Sequence, residues 1–300
     1  MTGILDRLAR GEVVVGDGAW GTQLMERGLP PGQPPEVVNL ERVDILEEIA
    51  ALYLDAGADL ITTNTFGGSP IKLESCGLGG HHDAINRRAV EAARRGARGR
   101  ALVSASMGPS GSLLRPYGMV EAADMAASFE RQAAVLVEAG ADVICVETMT
   151  DLTEATLAVQ AVRRVSARIP VIATMTFERT RRGFFTVMGA SVAAAAAGLE
   201  AAGANLVGAN CGCGFEMMVE IARAFRQQTQ LPIAVQANAG LPVIEAGGAR
   251  YPETPETVAA CVPALIDAGA QLIGGCCGTT PAHIRAIRAA VDARAPLSRG

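Results

Sequence analysis

Three cysteines in two glycine-rich segments carry the clearest chemical signal in the sequence. Cys211 lies in the segment GANCGCG, and Cys276 and Cys277 lie together in GGCCGTTP. Zinc favours thiolate ligands, and a catalytic zinc site keeps three protein ligands and one exchangeable position. The adjoining glycines let the backbone come close to a metal ion. We therefore predict a zinc site formed by Cys211, Cys276 and Cys277. Cys213 competes with Cys211 for the ligand role, and buried inert thiols are the alternative interpretation.

Two carboxylates follow short apolar runs in the same way as these cysteines. Asp17 and Glu147 would suit the ammonium group of an amino-acid substrate or general acid and base catalysis, and the alternative is that they cap helices or lie on the surface. The stretch GAWGT, from Gly18 to Thr22, offers backbone N–H groups of the kind that glycine-rich segments present to a carboxylate. One interpretation is therefore a pocket for an amino acid.

A repeated phrase indicates the elements that position these residues. AGADLI, AGADVI, AGANLV and AGAQLI each follow a helical pattern and open a short apolar run; they begin at Ala56, Ala139, Ala202 and Ala268. This order is typical of a helix that ends at a glycine and is followed by a buried strand. Four further apolar runs raise the number of predicted strands to eight: Val13–Gly16, Ala101–Ser104, Val171–Thr174 and Ile233–Gln236.

Helical patterns alternate with these strands. They cover about 42–55, 82–95, 121–138, 151–166, 191–202, 215–228, 255–267 and 281–291. Strands that alternate with helices pair in parallel, and eight such units predict an α/β fold, a single (β/α)8 barrel domain over residues 1–300. The alternative is a doubly wound open sheet. Polar or thiol groups follow nearly every strand, at the end of a barrel where catalytic residues lie.

Composition limits the other classes of protein. The 300 residues are 49% hydrophobic with a net charge of −5, and they show no basic face of the kind that binds nucleic acid. The first residues, MTGILDRLARGEVVV, carry charges throughout and lack the apolar core of a signal peptide, and we expect no membrane association. Seven cysteines, an odd number with one adjacent pair, favour a reduced cytoplasmic protein.

The sequence resembles the zinc-dependent homocysteine S-methyltransferase family, most closely the N-terminal module of cobalamin-dependent methionine synthase. The matching segments run in the family's order from about residue 12 to residue 290: GDGAWGTQL, AGADLITTNTFGGSPIKL, SMGPSG, GANCG, QANAGLP and GGCCGTTPAHI. The resemblance implies a (β/α)8 barrel that holds Zn2+ on the three cysteines. It also implies that Asp17 and Glu147 hold the amino group of the substrate and that backbone near Gly18–Thr22 receives its carboxylate.

The activity that this resemblance implies is transfer of a methyl group to the thiol of homocysteine, giving methionine. Zinc coordination deprotonates a thiol, and three cysteinate ligands should keep the substrate sulfur reactive. Asn238 is expected to fill the open zinc position when substrate is absent. Asn64 and Asn210 are expected to support the metal and substrate sites.

The methyl donor is open at this stage. The chain has no D-x-H-x-x-G segment of the kind that ligates cobalamin, so methylcobalamin on a separate corrinoid protein is the favoured donor. Betaine, S-methylmethionine or another small methylated compound is the alternative, and the reverse methyl flow also stays open. Thr148 stands where the betaine enzymes have tyrosine, and Phe215 replaces a proline of the commoner pattern.

Two other classes of function fit less well. A Schiff-base aldolase would need a lysine inside a strand, whereas Lys72, the single lysine, follows the second strand in a loop. A non-enzymatic zinc-binding module would close its site with four ligands rather than three.

Overall fold

Eight parallel strands form the centre of the molecule. The computed structural model describes residues 2–245 and 248–294. The barrel strands are β1 (Val14–Val15), β2 (Leu60–Thr62), β3 (Leu102–Met107), β4 (Val143–Met149), β5 (Val171–Met175), β8 (Leu206–Asn210), β9 (Ile233–Ala237) and β12 (Ala270–Gly275). Their order is β1-β12-β9-β8-β5-β4-β3-β2, and a bridge between Gly16 and Leu60 brings the two outer strands together. The predicted (β/α)8 barrel is therefore confirmed.

Four further strands form two short antiparallel hairpins outside the barrel. They are β6 (Glu178–Thr180) with β7 (Gly183–Phe185), and β10 (Val243–Glu245) with β11 (Gly248–Arg250). The first hairpin follows β5 and the second follows β9, so both lie in loops at the carboxyl ends of barrel strands. Neither hairpin was predicted from the sequence.

The eight predicted helices are all present, with ends that differ by a few residues at most. They are α4 (Val43–Asp55), α6 (His82–Ala97), α7 (Ala122–Glu138), α8 (Leu152–Val165), α9 (Val192–Ala202), α10 (Phe215–Arg226), α11 (Pro255–Asp267) and α12 (Pro281–Ala293). Short helices that were not predicted are α1 (Ile4–Ala9), α2 (Trp20–Glu26), α3 (Val38–Glu41) and α5 (Pro70–Ser75). No helix in the described ranges is both long and apolar enough to cross a membrane. The predicted domain limits, 1 and 300, lie outside the described residues.

Each copy of the repeated phrase turns a helix into a strand, as predicted. Its glycine has a positive φ in all four copies: 96° at Gly57, 93° at Gly140, 105° at Gly203 and 95° at Gly269. Glycine adopts this left-handed conformation without a steric penalty, so it ends the helix within one residue. The apolar run that follows then enters the barrel wall.

Apolar side chains fill the lower part of the barrel interior. Ile4 and Leu8 of α1 close the amino-terminal end and pack against inward-facing residues of the strands, namely Val14, Leu60, Leu102, Val143, Cys145, Ile172, Leu206, Ala234 and Leu272. A larger core lies between the strands and the surrounding helices. Above this apolar layer, Gly16 directly after β1, Gly208 in β8 and Gly274 in β12 lie close to the backbone of neighbouring strands.

Candidate metal centre and substrate pocket

The three predicted cysteine ligands converge at the carboxyl ends of β8 and β12. Their Sγ atoms all lie within 4.8 Å of one another, and Cys211 Sγ is 3.9 Å from Cys277 Sγ. Strand β9 lies between β8 and β12, and its backbone accepts hydrogen bonds on both sides. Cys211 N–H donates to Gln236 O at 3.0 Å, and Cys276 N–H donates to Ala237 O at 2.7 Å. The cysteines therefore extend the strand ladder, which fixes their positions.

The protonation of this cluster is shared among the three thiols. Hydrogen bonds from Cys276 and Cys277 lower the pKa of Cys211. The hydrogen bond with Cys211 is also the largest cause that raises the pKa of Cys276 and the pKa of Cys277. Three sulfurs at this separation cannot all ionise without a nearby positive charge, because their negative charges repel. The cluster is thus suited to a cation.

The spacing and chemistry of the cluster fit a zinc ion. Tetrahedral positions at a zinc–sulfur distance of about 2.3 Å are about 3.8 Å apart, close to the separation of Cys211 and Cys277. Asn238 is buried beside them, and its side-chain amide contributes to lowering the pKa of Cys211. Among the described residues, its Oδ1 atom has no hydrogen-bond partner. Such an atom is an available oxygen ligand, and its role at the open metal position remains a prediction.

Cys213 lies away from the cysteine cluster, whereas Tyr251 lies beside it. Cys213, the alternative ligand, is buried in the core outside the barrel wall, and burial raises its pKa to about 12. Tyr251 was not predicted from the sequence. It follows the β10–β11 hairpin, its ring packs against Gly278, and its phenol lowers the pKa of Cys277. A tyrosine in a loop, 13 positions after Asn238 in the sequence, has no spacing signal that would have linked it to the cysteines.

Asp17 lies at the mouth of the barrel with three donors already around it. Its Oδ2 accepts hydrogen bonds from Trp20 Nε1 at 2.8 Å and from Thr62 N at 2.7 Å, and its Oδ1 accepts one from Thr62 Oγ1 at 2.7 Å. Burial nevertheless raises the pKa of Asp17 to about 6. Oδ1 retains a lone pair that can accept a further hydrogen bond, so a donor from a ligand can be accommodated there.

Glu147 is the second carboxylate of the site and is less completely paired. Ser106 Oγ of β3 donates to Oε1, and Oε2 has no partner in the hydrogen bonds of the described residues. Burial is the main reason that the pKa of Glu147 rises to about 7, and the charges of Asp17 and Cys211 raise it further. These electrostatic interactions place Glu147 near Asp17 and Cys211 at the carboxyl end of the barrel. A cation bound between the carboxylates would relieve their repulsion.

The predicted carboxylate-binding stretch runs from β1 into α2. Gly18 has no room for a side chain, because a Cβ atom there would lie 2.8 Å from Thr279 Oγ1 and 3.0 Å from the Tyr53 ring. Tyr53 Oη donates to Ala19 O at 3.0 Å, which holds the stretch from below. Thr22 Oγ1 accepts a hydrogen bond from Gly278 N at 3.4 Å. The stretch is therefore packed directly against the loop that carries Cys276 and Cys277.

The other two predicted asparagines are engaged by the protein itself. Asn64 is buried, and its Nδ2 donates to Pro35 O at 2.8 Å and to Asn39 Oδ1 at 2.7 Å, which anchors the loop after β2. Asn210 is completely buried, and its side chain bonds to Thr148, Thr174 and Cys276. Both asparagines thus hold neighbouring loops in place. A direct contact of either with a substrate remains a prediction.

Comparison with known proteins gives consistent results. A family model described as homocysteine S-methyltransferase matches residues 14–291. Methionine synthase of Mycobacterium tuberculosis is 38% identical over 97% of this chain, and the chain spans about a quarter of its length, 25%. Betaine–homocysteine S-methyltransferase 1 of Xenopus laevis is 30% identical over 95% of this chain and 74% of its own.

The fold is also similar to the solved structure of a homocysteine methyltransferase. The metallated form of the homocysteine methyltransferase MmuM from Escherichia coli has 25% sequence identity and a TM-score of 0.79. The superposition covers 94% of this chain and 97% of that chain.

Proposed function

Because this chain belongs to the homocysteine S-methyltransferase family, we propose that it is the enzyme or enzyme module that transfers a methyl group to the sulfur of homocysteine, giving methionine. The observation that carries this proposal is the convergence of Cys211, Cys276 and Cys277 in the pocket that also contains Asp17 and Glu147. A zinc ion on the three thiolates would supply a positive charge that binds and deprotonates a substrate thiol.

The two carboxylates provide the site for the ammonium group of the substrate. Asp17 Oδ1 and Glu147 Oε2 are the acceptors that protein donors leave available. Raised pKa values near 6 and 7 mean that these carboxylates are poorly solvated and repel each other. An ammonium group bound between them gains two charge-assisted hydrogen bonds and removes that repulsion. The carboxylate of the amino acid would then face the backbone N–H groups of Gly18–Thr22.

We favour a methylcorrinoid carried by a separate protein or module as the methyl donor. The chain corresponds to about a quarter of a methionine synthase, so that relative has room for further modules. Large apolar side chains are exposed in loops on the face that bears the site: Tyr117 at 83%, Met119 at 82% and Ile244 at 79%. A large donor carrier that docks over the barrel mouth would cover these residues.

A small methylated donor is the second candidate. The observation that favours it is the similarity to betaine–homocysteine S-methyltransferase 1, over 74% of that enzyme. Betaine or S-methylmethionine would enter the same mouth without a partner protein. The position after Glu147 is Thr148, where the resemblance would place a tyrosine in the betaine enzymes, and this difference favours the corrinoid. A cytoplasmic location is part of the proposal, since the thiols must stay reduced.

Metal analysis and a methyl-transfer assay test the proposal together. We expect one zinc per chain, lost in a Cys276→Ala/Cys277→Ala variant and kept in Cys261→Ala, a matched control on α11. Homocysteine should be methylated by methylcobalamin, and betaine and S-methylmethionine serve as the competing donors. Unchanged zinc content in the double variant would refute the metal site. Zinc binding without methylation of homocysteine by any donor would refute the assigned activity.

A further inference from the structure

A β-bulge in β4 contains Glu147, one of the two carboxylates that we propose bind the ammonium group of the substrate. In the pairing of β4 with β5, Val146 lies opposite Ala173 and Met149 lies opposite Met175, so two residues of β4 face one residue of β5. The two residues of β4 are Glu147 and Thr148, and the residue of β5 that they face is Thr174. Bulges of this kind bend a strand locally and redirect a side chain, and they are frequent beside active sites. Here the bulge lies at the barrel mouth.

Thr148 has a backbone conformation that its own side chain disfavours. Its φ is 59°, in the left-handed region, where a β-branched residue is a steric outlier. Within the bulge, Thr148 is not paired in register with a residue of β5. A strained residue with an unpaired backbone group persists only when the surrounding structure holds it. Some other group must therefore stabilise the bulge.

The side chain of Asn210, at the end of β8, is that group. Its Oδ1 accepts hydrogen bonds from Thr148 N and from Thr174 Oγ1, both at 2.7 Å. Its Nδ2 donates to Thr148 Oγ1 at 2.7 Å. The backbone N–H of Thr148 requires an acceptor, so the amide orientation is defined. Asn210 thus replaces the missing strand partner and hydrogen-bonds to both the backbone N–H and the hydroxyl of Thr148.

The remaining donor of Asn210 reaches the cysteine cluster. Nδ2 lies 3.9 Å from Cys276 Sγ, within the range of a hydrogen bond to sulfur. The next residue, Cys211, also has a positive φ of 59°. One buried amide therefore touches the backbone that positions Glu147 and the thiol that would bind the metal.

We propose that Asn210 is a positioning residue that couples the two halves of the pocket. It completes the β4 bulge, which directs Glu147 toward the ammonium group of the substrate, and it fixes that bulge relative to Cys276. This inference rests on the proposed function for its substrate, but the contacts themselves belong to the fold. Asn210 acts through Thr148 and Cys276 and requires no contact with substrate.

A double-mutant cycle between Asn210 and Thr148 tests the coupling. In Asn210→Ala we expect the KM for homocysteine to rise about tenfold or more, with a smaller change in kcat. Thr148→Gly accepts a positive φ without a clamp. In that background the KM effect of Asn210→Ala should shrink at least about threefold. Equal effects of Asn210→Ala in both backgrounds would contradict the role of the bulge.

A spectroscopic readout tests the contact with Cys276 separately. With Co2+ in place of zinc, the thiolate-to-metal absorption band reports the hydrogen bonding of the cysteine sulfurs. The band should shift in Asn210→Ala and also in the Thr148→Gly/Asn210→Ala protein. Thr176→Val is the matched control, because Thr176 Oγ1 donates to the main-chain carbonyl of Asn210, at 3.0 Å, and not to its side-chain amide. A shift of equal size in that control would mean general loosening of β8 and would contradict the proposal.

A crystal structure of Asn210→Ala decides the inference without any assay. We expect Thr148 to leave the left-handed region and Glu147 to lose its hydrogen bond with Ser106. An unchanged bulge with Thr148 still near 59° would overturn the proposal, even if the enzyme is a homocysteine methyltransferase. Conversely, wild-type protein that binds neither homocysteine nor Co2+ would refute the proposed function. The crystal structure of Asn210→Ala would still test the role of Asn210 in the bulge.

Discussion

The two carboxylates of the pocket show a conflict between substrate binding and stability. Burial raises the pKa of Glu147 to about 7 from its usual value of 4.5. In the folded, substrate-free protein the proton on Glu147 is stabilising, since the protonated form avoids a poorly solvated charge. That contribution is fully present below about pH 4.5 and is lost as the pH rises through 7. Binding an ammonium group requires the opposite, ionised state.

Glu147→Gln is therefore expected to stabilise the substrate-free protein and to weaken substrate binding. At pH 8 the free energy of unfolding should exceed that of the wild type by about 2 kcal/mol, and the difference should shrink toward pH 5. The affinity for homocysteine should fall about 10- to 100-fold, because a charged hydrogen-bond partner is lost. Urea unfolding at both pH values and calorimetric titration with homocysteine measure the two effects.

The pH dependence of the wild type gives an independent check on the same residue. The KM for homocysteine should rise as the pH falls through about 7, when Glu147 takes up a proton. Glu91→Gln, a change at an exposed carboxylate on α6, is the control and should leave both the stability difference and the KM unchanged. A Glu147→Gln protein that is no more stable than wild type at pH 8 would contradict the inference that the charge of Glu147 destabilises the substrate-free protein.

The sequence predicts some of these residues and misses others for physical reasons. The cysteines and Asp17 are chemically distinctive and come directly after apolar strands, so position and type both identify them. The bonds of Ser106 to Glu147 and of Asn210 to Thr148 depend on strand register, which a single sequence does not specify. Tyr251 approaches Cys277 through a hairpin loop whose path has no periodic signal.

At the scale of elements, strands β8, β9 and β12 act together as the support of the cysteine cluster. The repeated glycine after a helix allowed β8 and β12 to be predicted, because it marks a change from a helical to a buried apolar pattern, and a short apolar run allowed β9 to be predicted. The hairpins β6–β7 and β10–β11 are short and were missed. Helix α1 was also missed: six residues with only Ile4 and Leu8 buried give too little pattern.

Gly208→Ala tests the support that β8 and β9 give to the cysteines. A Cβ atom at Gly208 would lie 1.8 Å from Ala234 O, the backbone of the paired residue in β9. The two strands must separate to admit it, and Cys211 then moves away from Cys276. We expect a loss of at least about 2 kcal/mol in unfolding free energy and less than one zinc per chain.

A second glycine substitution separates the loss of strand support for the cysteines from the general effect of replacing glycine with alanine. At Gly198 in α9 a Cβ atom would meet only the flexible side chain of Leu152, at 3.1 Å. Gly198→Ala should be neutral or mildly stabilising, since alanine favours the helix. Thermal unfolding and zinc content of both variants provide the comparison. If Gly208→Ala retained wild-type stability and zinc, the close approach of β8 and β9 would not support the site.

At the scale of the whole molecule, the cysteine cluster connects parts of the chain that are distant in sequence. Cys211 and Cys277 are 66 positions apart, yet they meet because β8 and β12 both pair with β9. The barrel has a large apolar core of its own, on both sides of its wall. We therefore expect its fold not to depend on a metal ion, in contrast to a small zinc-binding domain.

Removing the metal should consequently lower stability without unfolding the barrel. A ligand that binds only the folded state stabilises it by about 2.7 kcal/mol at 100 times its Kd, so chelation should lower the Tm by several degrees. Far-UV circular dichroism at 25 °C should stay unchanged. The Cys276→Ala/Cys277→Ala protein should have a Tm that responds neither to chelator nor to added zinc. A wild-type Tm that is equal with zinc and with chelator would mean that the cluster binds no metal, and loss of helical signal on chelation would mean that the metal is required for the fold.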